Sequence, residues 1–372
     1  MRINVIKAYI FKEFKELLRS KMIFMVYLMP SMILILFGYG IRMEVVGARV
    51  IIIDNDKSKL SYELINKFEH SKYFETKVEN ISEKEALNRI KRAQTDILVI
   101  IPSSFEKKVL KKQKSEIGIF IDGAFPIRAM TMQSYATGVI LDAANRLAEK
   151  YGVQGSFIEI EQRSLFNQAM RDENAIIPGV FGIVLLVAPA ILSALLIVRE
   201  KERGTIFNFY SSPIKKDEFL IAKLTPPFLL HSLNIFILLL ISLYLFKVPF
   251  RGSFFLYFVA SQLYIVISLS IGLLVSIITN RQIVAVVLVI MITIIPGFLY
   301  SGMLMPISSM EGESYIEAHL FPVMYYNHIL YDVFLIGEGL KSFKTSFYLF
   351  ILFVYGAALL AIGVFALKKE LR

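Results

Sequence analysis

Six stretches of this sequence run past the length of a membrane crossing without one Asp, Glu, Lys or Arg. A helix needs roughly 20 apolar residues to cross the hydrocarbon core, since lipid offers backbone N–H and C=O groups no partners. The stretches cover 22–41, 175–198, 224–246, 254–278, 283–306 and 345–367. They predict an α-helical membrane protein with six transmembrane helices. A mean hydropathy of +0.60 places much of the chain in lipid.

The ends of the spans carry the orientation, because short cytoplasmic loops are enriched in Lys and Arg. Basic residues crowd 1–21, 199–223, Arg281 and the tail 368–372, and all four groups fall on one face if the spans alternate. This predicts a multi-pass protein of the cytoplasmic (inner) membrane with both termini cytoplasmic. The net charge of +10 is then topological, suited to anionic membrane lipid, and no nucleic-acid partner is expected. Segment 1–21 reads as an interfacial amphipathic helix, with Ile3, Ile6, Ile10, Phe14 and Leu17 at helical spacing. Its alternative is an extension of the first span. Val46-Gly47-Ala48 is only a weak signal-peptidase site, so an uncleaved anchor is expected.

Segment 42–174 changes to mixed charge with short apolar runs, which predicts an extracytoplasmic α/β domain between the first two spans. Strands are expected at Val50 to Ile53, Phe74 to Val78, Ile97 to Ile101 and Ile117 to Ile121. A long helix over Ile127 to Tyr151 presents Met130, Ser134, Thr137 and Leu141 on one face. Asp54-Asn55-Asp56 opens like a calcium loop, but Lys59 and Ile65 stand where that loop needs glycine and glutamate, so a helix-capping turn is expected. The run Lys107, Lys108, Lys111, Lys112, Lys114 reads as a solvated face. Segments 247–253 and 307–344 are expected as external loops.

Several chemistries lack their residues. No Gly-rich loop ends in Gly-Lys-Ser/Thr, so the chain does not power itself with ATP. With no cysteine and four scattered histidines, no zinc site is expected. No carboxylate lies inside a span to relay protons. His231, Asn234 and Gln262 are the polar residues at membrane depth that could face a pathway, or simply bond neighbouring helices. Pro226-Pro227 reads as the start of the third span.

The loop after the second span reads Arg199-Glu200-Lys201-Glu202-Arg203-Gly204-Thr205 and continues to Ser211-Ser212-Pro213-Ile214, Glu218 and Lys223. It resembles the coupling loop of the permease subunits of type-2 ABC exporters, drug-exporter-like branch. Ile53-Asp54-Asn55-Asp56, Ile100-Ile101-Pro102-Ser103-Ser104-Phe105, and Leu299-Tyr300-Ser301-Gly302-Met303-Leu304-Met305-Pro306 are similar to other parts of that family. Thr205 and Ser212 suit helix N-caps and Pro213 a first helical position.

The resemblance implies a non-catalytic permease whose cofactors, ATP and Mg, are bound by a separate ABC ATPase subunit. It implies a second permease copy, or a sister permease; in a double-membraned cell the external domain could also meet a periplasmic adaptor. Arg199, Glu200, Glu202, Gly204, Thr205, Ser212 and Pro213 would then contact the ATPase. Pro296, Gly297, Ser301, Gly302, Met303 and Pro306 would form a re-entrant outer gate, with Pro296-Gly297 interrupting the helix. The second and fifth spans would line the dimer interface and pathway, the second by virtue of Gly179, Gly182, Ala188, Ala190 and Ala194. A membrane-anchored binding or assembly protein acting through its external domain is the rival, with an uncoupled channel or secondary transporter as a further one. Few fixed charges in the spans suit a drug-like or amphiphilic substrate.

Overall fold

The computed structural model describes residues 3–20, 22–40, 45–92, 94–111, 113, 115–122, 126–151, 171–303, 307 and 310–367. It divides into a helical bundle, Met1–Ile41 with Ser164–Arg372, and an α/β unit, Arg42–Arg163.

The bundle begins with α1 (Ile3–Arg19), which ends where Ser20 turns its hydroxyl onto the Leu17 carbonyl at 2.9 Å. Helix α2 (Met22–Gly40) follows as a separate element. The inward stripe of α1 is Ile6, Glu13 and Leu17, lying along α9. A carboxylate therefore sits on the face that amphipathic spacing assigns to the core.

In the α/β unit four strands, β1 (Ala48–Asp54), β2 (Phe74–Val78), β3 (Ile97–Ile101) and β4 (Gly118–Ile121), stand in the order β2-β1-β3-β4. β1 pairs in parallel with β2 and β3, and β4 runs antiparallel to β3. β1 is apolar on both faces because both are covered. Val50 and Ile52 pack with α3 (Lys59–Glu69), α5 (Phe105–Leu110) and α6 (Pro126–Tyr151), while Ile51 and Ile53 pack with α4 (Glu83–Lys91). Met130, Ser134, Thr137 and Leu141 form the exposed side of α6, and Met132 and Ala136 the buried one. Asp54 accepts from the N–H groups of Asp56 and Lys57 and from the Ser61 hydroxyl, all at 2.8–3.0 Å. Asp56 accepts from the Glu106 N–H at 2.9 Å. These carboxylates close a turn and join two helix starts. Lys112 and Lys114 of the basic run lie outside the described residues.

The bundle resumes with α7 (Asp172–Glu202), α8 (Ile206–Ser211), α9 (Lys216–Leu240, continued by a π turn to Leu245), α10 (Phe254–Ile278) and α11 (Gln282–Leu299). α12 (Glu313–Leu320), α13 (Pro322–Tyr331, with a π turn to Ile336) and α14 (Phe343–Ala366) complete it. Six of these helices, α2, α7, α9, α10, α11 and α14, are long and apolar enough to span a membrane.

Three expectations are corrected. Pro226-Pro227 do not start the third span: α9 begins at Lys216 and carries both prolines inside it, forgoing the i→i−4 bonds they cannot donate. The second span is not free to line an interface, because the apolar window of α7 is wholly buried inside its own bundle. Its small residues serve contacts within the protomer. A Cβ on Gly179 would stand 2.7 Å from Met303, and one on Gly182 would stand 2.1 Å from Asn327. Third, 307–344 is not a simple loop. α13 is buried along most of its length among α7, α10 and α14, with Tyr326 stacked on Tyr264 at 4.1 Å. Asn327 donates to the carbonyls of Gly179 and Ser301 at 3.3 and 2.9 Å.

Candidate functional site: the exit of the second span

At 1.5 Å per residue α7 is about 46 Å long, longer than the ~30 Å hydrocarbon core, so its last turn projects from the apolar layer. The four residues of that turn each reach a different helix. Arg199 pairs with Glu16 of α1 at 3.7 Å. Glu200 accepts from Lys223 of α9 at 2.5 Å. Lys201 donates to the Ser276, Ile277 and Thr279 carbonyls at 2.5, 3.0 and 3.2 Å, satisfying acceptors that the end of α10 leaves open. Glu202 accepts from Gln282, the first residue of α11.

Lys223 is the centre of this arrangement. Its ammonium meets Glu13 of α1 at 2.8 Å as well as Glu200, and the side chains of Lys223 and Glu13 are each only 2% exposed. Two carboxylates share this one buried ammonium, and Lys12 stands 3.8 Å from the other Glu13 oxygen. Beside the triad opens a polar cleft of about 210 Å³, walled by α1, the end of α7, α8 and the start of α9.

The chain then turns at Gly204, whose φ of +73° suits a residue without Cβ. α8 seats Ile206 and Phe209 against the bundle, Phe209 stacking on Phe219 with ring centroids 4.0 Å apart. Its other face leaves Thr205, Phe207, Asn208 and Ser211 exposed. The expected caps are corrected here. Thr205 occupies the N-cap position of α8 but caps nothing, its hydroxyl going to the Glu200 carbonyl at 3.4 Å. Ser212 ends α8 instead of starting a helix, bonding back to Phe209, and Pro213 lies in the turn before α9. Glu218 takes up the start of α9 by accepting the Lys215 N–H at 3.2 Å.

The remaining candidates fall elsewhere in the bundle. Pro296 does not interrupt α11, which continues through it to Leu299. Gly297 faces Ile183 of α7, Gly302 turns with φ +72°, and Ser301 accepts from the Met303 N–H at 3.2 Å. Pro306 lies outside the described residues. His231 and Asn234 are fully buried on α9, and among the described residues their side chains have no hydrogen-bond partner. Gln262 Oε1 accepts from Ser232 at 2.8 Å, while its buried Nε2 has no hydrogen-bond partner among the described residues.

A family profile described as ABC-2 family transporter protein matches residues 20–365. The chain belongs to that family. Among relatives, a probable multidrug ABC transporter permease of Escherichia coli K12, YbhS, is 28% identical over 370 residues, covering 99% of this chain and 97% of its own length. A second one, YbhR, is 23% identical over 336 residues, covering 90% and 91%. ABC transporter G family member 20 of Dictyostelium discoideum is 22% identical over 193 residues, 52% of this chain and 26% of that protein. Within this ABC-2 transporter protein, sequence reasoning missed Glu13 and Phe207, and placed Lys223 in the basic coupling loop without its carboxylate partners. The signal available for Glu13 was a carboxylate in phase with Ile6 and Leu17.

Proposed function

We propose that this chain is the permease subunit of an ABC exporter, moving drug-like or amphiphilic substrate outward across the cytoplasmic membrane. A separate ATPase subunit binds ATP and Mg and supplies the work. The observation that carries the reading is α8, a short helix fixed to the bundle by Ile206 and Phe209 while Phe207, Asn208 and Ser211 face outward. That surface stands at the end of the second span of a chain in the ABC-2 family. Two full-length relatives bear the permease name.

On this reading both termini and α8 are cytoplasmic, which follows from the basic span ends. The α/β unit, inserted between the first and second spans, is extracytoplasmic, where a periplasmic adaptor could meet it. A second permease copy packs through α11 rather than α7, because α11 keeps Ile283, Val287 and Met291 exposed while α7 is covered. Pro296, Gly297, Ser301, Gly302 and Met303 form the outer gate beside α7.

Co-purification with candidate ATPase subunits tests the reading. Phe207→Ala and Asn208→Ala are the informative variants, because Glu200 and Glu202 already serve contacts within the bundle. Loss of ATPase binding in these variants with an unchanged gel-filtration profile is expected. If no ATPase binds the wild type, the anchored-domain alternative replaces it.

A further inference from the structure

A second cavity plays no part in the roles above. It is a groove of about 570 Å³ between α9, α10 and α14, well within the range of small-molecule sites. Its walls are apolar, with Leu224 and Phe228 from α9, Leu269 from α10, and Leu360 and Val364 from α14. The Thr225 hydroxyl, also on the wall, is spent on the Ile221 carbonyl at 2.6 Å. Every wall helix is a candidate span, so the groove opens sideways into the acyl layer.

Length and charge narrow the occupant. Along α9 the groove runs about 16 Å from Asp217 to Phe228, so that Leu224 and Phe228 belong to the charge-free span while Asp217 stands two helical turns before it. Asp217 stands at its mouth as the one charged residue of the lining, in a chain whose net charge is +10. Asp217 is exposed, and no Lys or Arg pairs with it among the described residues. The Lys215 N–H at the helix start is held by Glu218 rather than by Asp217. A phospholipid lying here would bring its phosphate next to that carboxylate.

We propose that this groove binds a single-chain amphiphilic cation from the adjoining leaflet. The alkyl chain lies along Leu224, Phe228, Leu269 and Leu360, and the cationic head meets Asp217. The site is a property of the bundle alone, so it can be tested without an ATPase and its outcome is separable from the co-purification above.

The experiment uses the full chain in phosphatidylcholine nanodiscs with a photoreactive dodecyl trimethylammonium, its diazirine near the chain end. A dodecyl sulfate of the same design is the counter-probe, and labelled peptides are read by mass spectrometry. The cation is expected to label 224–228 and 360–364 saturably, about tenfold above the exposed Phe350 and Phe353 of α14, one charge contact being worth about that ratio. Leu360→Trp fills the groove and should abolish saturable labelling. Asp217→Asn, which keeps volume and serves if the tryptophan variant fails to fold, should equalise the two probes. Equal labelling by both probes in the wild type would mean that ordinary lipid covers the groove, and overturns the proposal. So does saturable labelling that survives Leu360→Trp in folded protein.

Discussion

Replacing Lys223 by methionine keeps most of its volume and removes the ammonium that two carboxylates share. Glu13, with 2% of its side chain exposed, then keeps only the exposed Lys12 at 3.8 Å as counter-ion among the described residues, whereas Glu200 at 19% retains some water. Breaking one partner out of a buried pair costs about 3–5 kcal/mol. α1 can avoid that cost by lifting off α9 and hydrating Glu13. Amide hydrogen exchange of the 3–19 peptide in nanodiscs reads that opening. In Lys223→Met its exchange should accelerate by on the order of 10²-fold at pH 7. Adding Glu13→Gln should bring the pH 7 rate back to within about tenfold of wild type. Unchanged exchange in the single variant, or no recovery in the double, would show that the triad does not hold α1.

Gly272→Ala would place a Cβ 2.1 Å from the Ala190 carbonyl oxygen, which is backbone and cannot swing away. A penalty of about 3 kcal/mol or more is expected, seen as aggregation on gel filtration. In the α/β unit, burial alone would raise the pKa of Asp96, but the Arg49 side chain, the Arg49 N–H and the Arg128 charge outweigh it and hold the carboxyl below its ordinary value. Its contribution to stability is present above the unfolded pKa of ~3.9 and is lost as pH falls through the lower folded value. The gap in melting temperature between wild type and Asp96→Asn should therefore narrow below about pH 4. Cysteines placed at Ile283 and Met291 on the exposed side of α11 should crosslink between copies in this cysteine-free chain, and cysteines on buried α7 should not.

The spans were legible because a charge-free run of that length has one use, and the α/β unit because its strand and helix periods alternate. Lys223 was misread for a physical reason. Counting basic residues at span ends treats each as solvated, and nothing local marks the one whose partners lie on other helices. Residues 322–336 contain the apolar run PVMYYNHIL and one Asp, too short to cross a membrane and so assigned to a loop. In the structure that Asp332 caps the following turn through the Glu338 and Gly339 N–H groups, and the apolar run packs among the spans. Ser212-Pro213 fits a helix start by residue type, but the same pair also ends a helix, and only the position of Phe209 beneath it decides.

The bonds that cross the bundle determine where a push on α8 can go. Ser193 and Ser268 donate across the α7–α10 contact to the Leu269 and Leu186 carbonyls, and Tyr264 donates to Gly182, all at 2.5–2.9 Å. With Gly272 against the Ala190 backbone there is no slack for those helices to slide. α7 and α10 therefore move as one body, and Lys201 ties the end of that body to its own loop. The α1–α9 contact does have room beside it, where the polar cleft adjoins the Glu13–Lys223–Glu200 triad. On the exporter reading, motion entering through α8 is relieved there, and the triad sets how much load α1 bears before it separates.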